Sequence, residues 1–283
     1  MPEFDTPHPI DLDIAVAMGN VELDATDSTT TTVEVLPHNP HRAGDVSLAR
    51  ETTVRFDSGR LTIVVPKRLN LFGPGDSVDV LVAVPSGTTA TVTVGYGDIR
   101  TRGVLGASSV TASYGSTIID RTGDLKLKSP HGDVDVQTVD GDLDLASGHG
   151  RLRIGQVTGG ATIKGSHGPL EFGEVCGTID ARTSGPVTVD HAGGNSDIRT
   201  AYGPIRIGEV SGGTARLENG YARIEVGVPT GTAAWIDAAS KNGVVRNELT
   251  AESGPGDAER TVELRLRANY GDVVIHRAVS ARR

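Results

Sequence analysis

The chain has 283 residues, of which 37 are glycine and 4% are aromatic. This composition argues against a thick globular core and favours a narrow core of Val, Ile and Leu between tight corners. The formal net charge of -9 excludes a large basic field, so we expect no nucleic-acid partner.

The N-terminal region, residues 1–90, alternates apolar and polar residues without a longer period. The inward positions of this alternation are Leu12, Ile14 and Val16; Val21 and Leu23; Val33 and Val35; Leu61, Ile63 and Val65; and Val78, Val80, Val82 and Val84. Each run predicts a strand with every second side chain inward. Helical periodicity is almost absent, and we interpret the turn-rich stretch at Asn39-Pro40 as a hairpin or an excursion from a sheet.

A short repeat dominates residues 91–228. Glycines recur at 97, 115, 132, 150, 168, 185, 203 and 220, and a second glycine follows each of the first seven after eight or nine residues. A repeat of about 18 residues cannot bury an apolar face alone and becomes stable only when neighbouring copies stack. The pattern predicts an all-β fold: a single-stranded parallel β-solenoid, or β-helix, capped at its N-terminal end by the strands and hairpins of residues 1–90.

Within each coil, the second and fourth residues after the leading glycine are apolar and are predicted to point inward. The residue between them points outward and runs Arg100, Ile118, Asp135, Arg153, Glu171, Thr188, Arg206 and Arg223. At a strand spacing of about 4.8 Å, Asp135, Arg153 and Glu171 would form a ladder of alternating charge. We expect this ladder to fix the register of the coils.

The residue before the leading glycine forms a second column. Its members are Tyr96, Tyr114, His131, His149, His167, Ser184, Tyr202 and Asn219, followed by Asn242 and Tyr270 in later coils. Stacking of flat side chains at a corner is the structural interpretation. A zinc site built from His131, His149 and His167 is the alternative, but three imidazoles in a straight row do not converge tetrahedrally.

Aspartates that follow the glycines invite comparison with calcium-binding nonapeptide rolls, which share the coil length. Arg151 and Pro169 occupy the same column in other coils, however, and remove the anionic oxygen cage that calcium needs. We therefore expect neither a metal nor a cofactor.

The period breaks after Gly220, and residues 229–283 are interpreted as irregular coils that close the C-terminal end. The predicted organisation is thus an N-terminal cap at 1–90 that continues into the solenoid, regular coils at 91–228, and a C-terminal cap at 229–283.

Several segments resemble a bacterial family of β-strand-repeat proteins known as putative adhesins, a domain-of-unknown-function family. These are the opening FDTPHPIDLDIAVAMGNVELDA, the YGPIRIGEV-type coils, and GTAAWIDAASKNGVVRNEL followed by VELRLRANYGDVVIHRA. The resemblance covers nearly the whole chain. It implies a parallel β-solenoid with an adhesin-like role, and it supplies no catalytic residues and no cofactor.

The preferred interpretation is a non-enzymatic, adhesin-like β-solenoid that presents a repetitive face to an unknown protein or glycan. The alternative is a cytoplasmic self-assembling scaffold of bactofilin type, since coils of similar length allow end-to-end stacking. The ends of the stack discriminate between the two. Polar caps favour a monomeric binding module, whereas an uncovered apolar last coil favours self-association.

A less favoured alternative is a polysaccharide-acting β-helix enzyme, which would need two carboxylates at a set separation in a groove. Asp135 with Asp144, or Glu171 with Glu174, could supply the pair. Against an enzyme stand the short regular coils, which lack the long loops that wall an active-site cleft.

The N-terminus carries acids and prolines where a signal peptide needs a basic start and an apolar run. No stretch approaches the roughly 20 apolar residues of a membrane span, so we expect no membrane insertion. Cys176 is the single cysteine, which is typical of a reducing compartment. We therefore expect a cytoplasmic protein, for which surface exposure would require a non-standard route.

Overall fold

The computed structural model describes residues 2–68, 75–250 and 260–278. The chain divides into two compact units, Met1–Gly141 (unit 1) and Asp142–Arg283 (unit 2). Each unit is a stack of parallel β coils, which confirms the predicted β-solenoid. Among the described residues, no helix is long and apolar enough to cross a membrane.

The described residues of unit 1, 2–68 and 75–141, form twelve strands and one helix. These are β1 (Glu3–Asp5), β2 (Asp11–Thr26), β3 (Thr30–Pro37), α1 (Ala43–Glu51), β4 (Thr53–Asp57), β5 (Arg60–Val64), β6 (Val78–Pro85), β7 (Thr89–Tyr96), β8 (Ile99–Leu105), β9 (Ser108–Tyr114), β10 (Thr117–Thr122), β11 (Leu125–His131) and β12 (Val134–Val139). The regular coils stack β7, β9 and β11 in one sheet and β8, β10 and β12 in another, all parallel.

The long strand β2 belongs to both sheets of unit 1. Its first half pairs with β5 and β7, and its second half pairs with β6 and β8. It therefore lies between the coil of β5 and β6 and the coil of β7 and β8. The strand turns from one sheet to the other at Gly19, which has a φ of 145° and where a Cβ atom would meet the carbonyl oxygen of Val78 at 1.9 Å. Only glycine accommodates that approach.

Antiparallel strands close the N-terminal end of unit 1. Strand β3 pairs antiparallel with β6, β1 with β3, and β4 with β5. These are the strands and hairpins predicted as the N-terminal cap. Pairing them protects backbone groups that an open edge would expose.

The helix α1 was not predicted. It buries only Leu48 and Asp45, so its sequence carries almost no apolar periodicity. Its position depends instead on the Asp45 carboxylate, which accepts hydrogen bonds from the backbone nitrogens of Asn39 and Ser77, each at 3.0 Å. Such polar anchoring leaves no hydrophobic signal in the sequence.

The part of unit 2 that the structure describes, residues 142–250 and 260–278, forms fourteen strands. These are β13 (Leu143–His149), β14 (Leu152–Val157), β15 (Ala161–Ser166), β16 (Leu170–Val175), β17 (Ile179–Thr183), β18 (Val187–Ala192), β19 (Ser196–Thr200), β20 (Ile205–Val210), β21 (Gly213–Asn219), β22 (Ile224–Val228), β23 (Thr232–Ser240), β24 (Val245–Asn247), β25 (Arg260–Ala268) and β26 (Val273–Arg277). One sheet stacks β13, β15, β17, β19 and β21, and the other stacks β14, β16, β18, β20 and β22, all parallel.

The core of unit 2 consists of the inward positions predicted from the repeat. Leu170 and Phe172 on β16 and Val187 and Val189 on β18 are each at most 2% exposed. Phe172 is among the largest fully buried side chains, and it fills space that Ile or Val occupies in neighbouring coils.

The C-terminal end of unit 2 is stacked out of chain order. Strand β25 pairs with β21 on one side and β23 on the other, and β26 pairs likewise with β22 and β24. The coil of β23 and β24 therefore forms the end of the stack. Within the predicted cap at 229–283, residues 251–259 and 279–283 lie outside the described part of the chain.

Candidate functional site

In unit 1, the column before the leading glycines is a stack of rings. The rings of Tyr96 and Tyr114 have centroids 4.9 Å apart and an interplanar angle of 2°, and Tyr114 and His131 follow at 4.7 Å and 9°. The register pairs Tyr96 with Tyr114 and Tyr114 with His131. The stacking therefore follows directly from strand pairing.

In unit 2, His149 and His167 continue the same column position. Their rings stack with centroids 5.0 Å apart and a larger tilt of 24°. Nδ1 of His167 lies 2.6 Å from Oγ of Ser184 in the next coil. In the described ranges, no group of three His, Cys, Asp or Glu side chains is arranged to hold a metal ion.

After Ser184 the rings move one residue along the chain. The backbone nitrogen of Ser184 donates to the oxygen of Ser166, that of Ala201 to Thr183, and that of Gly220 to Thr200. Ser184, Ala201 and Gly220 therefore occupy equivalent positions, and none of them carries a ring.

The ring sequence resumes as a separate tyrosine column. Tyr202 stacks on Tyr221 at 5.4 Å, and Tyr221 stacks on Tyr270 at 5.3 Å. The prediction that Asn219 belongs to this column is wrong. Asn219 pairs in register with Thr200, and it is buried. This coil is longer than its neighbours, so counting from glycine displaced the column by two residues.

A groove of about 740 Å³ follows the ringless positions of unit 2. Its floor contains Ser184, Ala201 and Gly220, and it runs from His167 at one end to Asn269 and Lys241 at the other. The floor side chains are small because the rings have moved to the neighbouring column.

Basic side chains border this groove. Arg182, Arg199, Arg267 and Lys241 line it, with Glu218 as the one carboxylate among the lining residues. Arg182 and Arg199 are register partners in adjacent coils, and Glu218 and Arg267 continue the same outward column. Cations therefore outnumber carboxylates among the lining residues, although the chain as a whole is acidic.

Carboxylates outside the groove hold these arginines in place. Nε of Arg182 lies 3.7 Å from Asp180, and Nε of Arg199 lies 3.1 Å from Asp197. The hydrogen bond that Arg199 donates to Asp197 raises the pKa of Arg199. Each acid is two residues before its arginine on the same strand, so it faces the same side of the sheet.

Arg267 has an equivalent partner in the terminal coil. It hydrogen-bonds to the carboxylate and to the backbone oxygen of Asp237. This hydrogen bond raises the pKa of Arg267 and lowers the pKa of the Asp237 carboxyl. The arginine wall of the groove thus stays ionised and fixed.

The predicted charge ladder lies on the other sheet. In unit 1, Asp135 pairs in register with Ile118. In unit 2, Nε of Arg153 lies 3.4 Å from Glu171, and Nε of Arg206 lies 3.5 Å from Glu225. The Arg153–Glu171 and Arg206–Glu225 ion pairs are solvent-accessible, and each contributes roughly 0–1 kcal/mol to stability. They therefore fix the register of the coils more than they stabilise the fold.

One predicted ladder member is wrong. Glu225, and not Arg223, is the register partner of Arg206. The reason is the same longer coil that displaced Asn219. Arg223 instead contacts Glu225 from the same strand end, at 3.8 Å.

Sequence reasoning missed the basic wall of the groove. The signal is the outward position two residues before the ring column, which reads Arg182, Arg199 and Glu218 in successive coils. The charge ladder predicted from the sequence uses only the first strand of each coil, whereas these residues lie on the second strand.

No protein-family model and no curated protein matches the sequence. Solved structures are similar to it over nearly the whole chain. A putative adhesin from Parabacteroides distasonis is 12% identical, with 96% of this chain and 95% of that chain covered and a TM-score of 0.38. A putative adhesin from Parabacteroides merdae is 13% identical, with 97% and 94% covered and a TM-score of 0.32.

A third solved structure carries a different name. It is a putative lipid binding protein from Parabacteroides distasonis, 14% identical, with 96% of this chain and 95% of that chain covered and a TM-score of 0.31.

Proposed function

We propose that this protein is a non-enzymatic, adhesin-like binding module that holds an extended ligand along the groove of unit 2. The observation that carries this proposal is the row of small floor residues, Ser184, Ala201 and Gly220, beside the column of Arg182 and Arg199. From His167 to Lys241 the groove crosses five coil-to-coil steps of about 4.8 Å each, or about 24 Å. That length suits a chain-like ligand, a glycan or a polypeptide.

The lining of the groove supports binding rather than hydrolysis. Glycoside hydrolysis requires two carboxyl groups across the scissile bond, whereas Glu218 is the single carboxylate among the lining residues and lies 3.7 Å from Arg199. The Ser184–His167 contact is one element of a hydrolase triad. Among the described residues, no carboxylate contacts the other ring nitrogen of His167 to orient it, as such a triad requires.

The test is a binding measurement with charge-matched variants. The double variant Arg182→Gln/Arg199→Gln removes two cations from the groove, and Arg153→Gln/Arg206→Gln removes two cations from the other sheet. Binding of an extended anionic polymer, measured by affinity electrophoresis on polymer-containing gels, should be lost in the first variant and kept in the second. Equal retention of binding in both variants would exclude the groove as the site.

The exposed end coil favours a second candidate, the self-assembling scaffold. Among the described residues, β23 and β24 have a strand partner on one side only. Trp235 is 57% exposed, and Val244 and Val245 are also exposed. An unpaired apolar edge is a template for strand addition by another chain.

Sedimentation velocity over a wide concentration range tests this second candidate. Self-assembly predicts a sedimentation coefficient that rises with concentration, and Trp235→Lys should abolish the rise by placing a charge on the edge. A single concentration-independent species in the wild type would rule the scaffold out.

A further inference from the structure

The ring column of unit 2 stops at His167, and the groove begins at the same point. The next three equivalent positions are Ser184, Ala201 and Gly220. The five stacked ring pairs within the two units have centroids 4.7 to 5.4 Å apart. At Ser184 and Ala201 the coils have the same spacing as in the ring stacks, but the side chains carry no rings.

His167 presents the end of the stack to this space. One face of its ring lies on His149, and the hydrogen bond between its Nδ1 and the hydroxyl of Ser184 directs the ring toward the groove. The position of the next ring is thus left to the small Ser184 side chain. A planar or chair-shaped ring placed over Ser184 would continue the stack at the ordinary spacing.

The neighbouring cations determine the charge of such a ring. Arg182 and Arg199 lie two residues before Ser184 and Ala201, on the same side of the sheet. Asp180 contacts Nε of Arg182. Asp197 accepts from Nε and Nη2 of Arg199, and Glu218 lies 3.7 Å from Nε of Arg199. Since a guanidinium has five N–H donors, donors remain on each arginine for an incoming carboxylate.

We infer that the groove binds a linear polyuronate, that is, a polysaccharide with a carboxylate on each sugar ring. This inference rests on the proposed function and specifies its ligand. Sugar rings over Ser184 and Ala201 continue the stack that ends at His167, and their carboxylates pair with Arg182 and Arg199. A polyuronate supplies a ring and a negative charge at every repeat. The rings match the open positions over Ser184 and Ala201, and the negative charges match Arg182 and Arg199 beside them. An acidic polypeptide supplies the charge without the ring.

The experiment uses the full chain and polygalacturonate oligomers, with isothermal titration calorimetry at low ionic strength. Ser184→Tyr adds the missing ring and fills the space over the floor, so it should weaken binding by about tenfold or more. Ser184→Ala removes the hydroxyl that contacts His167 but leaves the space open, so it should retain clearly more affinity than Ser184→Tyr.

Asn242→Tyr is the matched control for added aromatic bulk. Asn242 occupies the position equivalent to Tyr270 in the next coil of the stack, because the backbone nitrogen of Asn242 donates to the backbone oxygen of Asn269. A tyrosine there extends the tyrosine column away from His167 and should leave the affinity unchanged. Circular dichroism and melting temperature establish that each variant is folded before binding is compared.

Two further ligands separate charge from ring recognition. Fully methyl-esterified polygalacturonate keeps the rings and loses the charge, and polyglutamate keeps the charge and loses the rings. The inference predicts at least about tenfold weaker binding of both ligands, because the first lacks the carboxylates that pair with the arginines and the second lacks the rings that continue the stack.

The outcomes distinguish this inference from the proposed function. If polyglutamate binds as well as polygalacturonate, or if Ser184→Tyr binds polygalacturonate undiminished while Arg182→Gln/Arg199→Gln loses it, the groove binds anionic polymers but the ring position is wrong. If no anionic polymer binds the wild type, both the inference and the proposed function fail.

Discussion

Asn219 donates a hydrogen bond from its side-chain nitrogen to the carbonyl oxygen of Gly203 at 2.7 Å, inside the corner of a coil. Its side-chain oxygen accepts from the backbone nitrogens of Tyr221 and Ala222 at 2.8 and 2.6 Å. In the preceding coil, Thr200 donates to the oxygen of Gly185 in the same way. A buried polar side chain thus closes the corner in each of these two coils, and Asn219 also places the residues that follow it.

Replacing Asn219 by Ala should destabilise the protein by about 1–3 kcal/mol or more, because buried backbone groups lose their partner. Urea denaturation measures the effect. Asn242→Ala, at an exposed position in the terminal coil, is the control and should change the free energy of unfolding little. Equal effects of the two substitutions would show that the corner bonds do not stabilise the stack.

Phe172 provides a test of the narrow core. It is 2% exposed on β16, and truncation to Ala should cost about 3–5 kcal/mol because the stacked coils leave a cavity. Tyr202→Ala removes an aromatic ring of similar size that is 68% exposed and should cost far less. Melting temperature and urea midpoint report both values. A small effect at Phe172 would mean that the coils collapse around the missing ring.

Gly132 is a position where close backbone approach requires glycine. It has a φ of 142°, and a Cβ atom would lie 1.9 Å from the carbonyl oxygen of Gly115 in the previous coil. Gly132→Ala should destabilise by more than about 1 kcal/mol. At Gly160 the nearest atom would be 3.3 Å away, so Gly160→Ala should be much milder. Thermal melts of the two variants test the order.

The period of the sequence was sufficient to predict the coils, because it records backbone approach and inward packing directly. The apolar residues at Leu170, Phe172, Val187 and Val189 are buried as predicted. The order in which the strands stack at the ends could not be predicted from the sequence. Pairing of β25 with both β21 and β23 leaves no periodic mark, since any of these strands has the same alternation.

The candidate site was less predictable for a related reason. Counting from glycines assumes equal coils, and a single longer coil moved Tyr221 into the place expected for Asn219 and Glu225 into that expected for Arg223. The groove depends on a separate irregularity. Thr200 pairs with Thr183 and Ile205 with Val187, so the corner between them holds one extra residue, which places Tyr202 beyond Ala201 and leaves Ala201 and Gly220 as the floor. A one-residue change in register moves side chains to different positions on the surface, but it leaves the composition of the sequence almost unchanged.

The Asp237–Arg267 pair should contribute to stability above pH 4 and not at lower pH. The hydrogen bond from Arg267 holds the pKa of the Asp237 carboxyl below its ordinary value, about 3.9. The unfolded chain therefore binds the proton first, so the contribution is present above that value and disappears as pH falls through the folded pKa. NMR titration of the carboxyl carbon measures the shift, and Arg267→Ala should return the pKa toward its ordinary value. An unchanged titration in that variant would contradict the assignment.

Removal of one whole coil from unit 2 should leave a folded protein. Deleting residues 168–184 removes β16 and β17 together, so β14 can pair with β18 and β15 with β19 while inward positions stay inward. Each coil contacts only its neighbours in the stack, and the interior loses one layer without losing continuity.

Deleting only residues 168–176 should be far worse. It removes β16 and leaves β17 to follow β15 directly, so the alternation of the two sheets is broken and apolar side chains no longer share one face. Solubility, circular dichroism and melting temperature compare the two deletions. Two variants of equal solubility and equal melting temperature would show that the register of the coils does not govern folding. The whole-coil deletion also removes Arg182, Thr183 and Ser184 from the groove, so it should weaken polygalacturonate binding even though the protein remains folded.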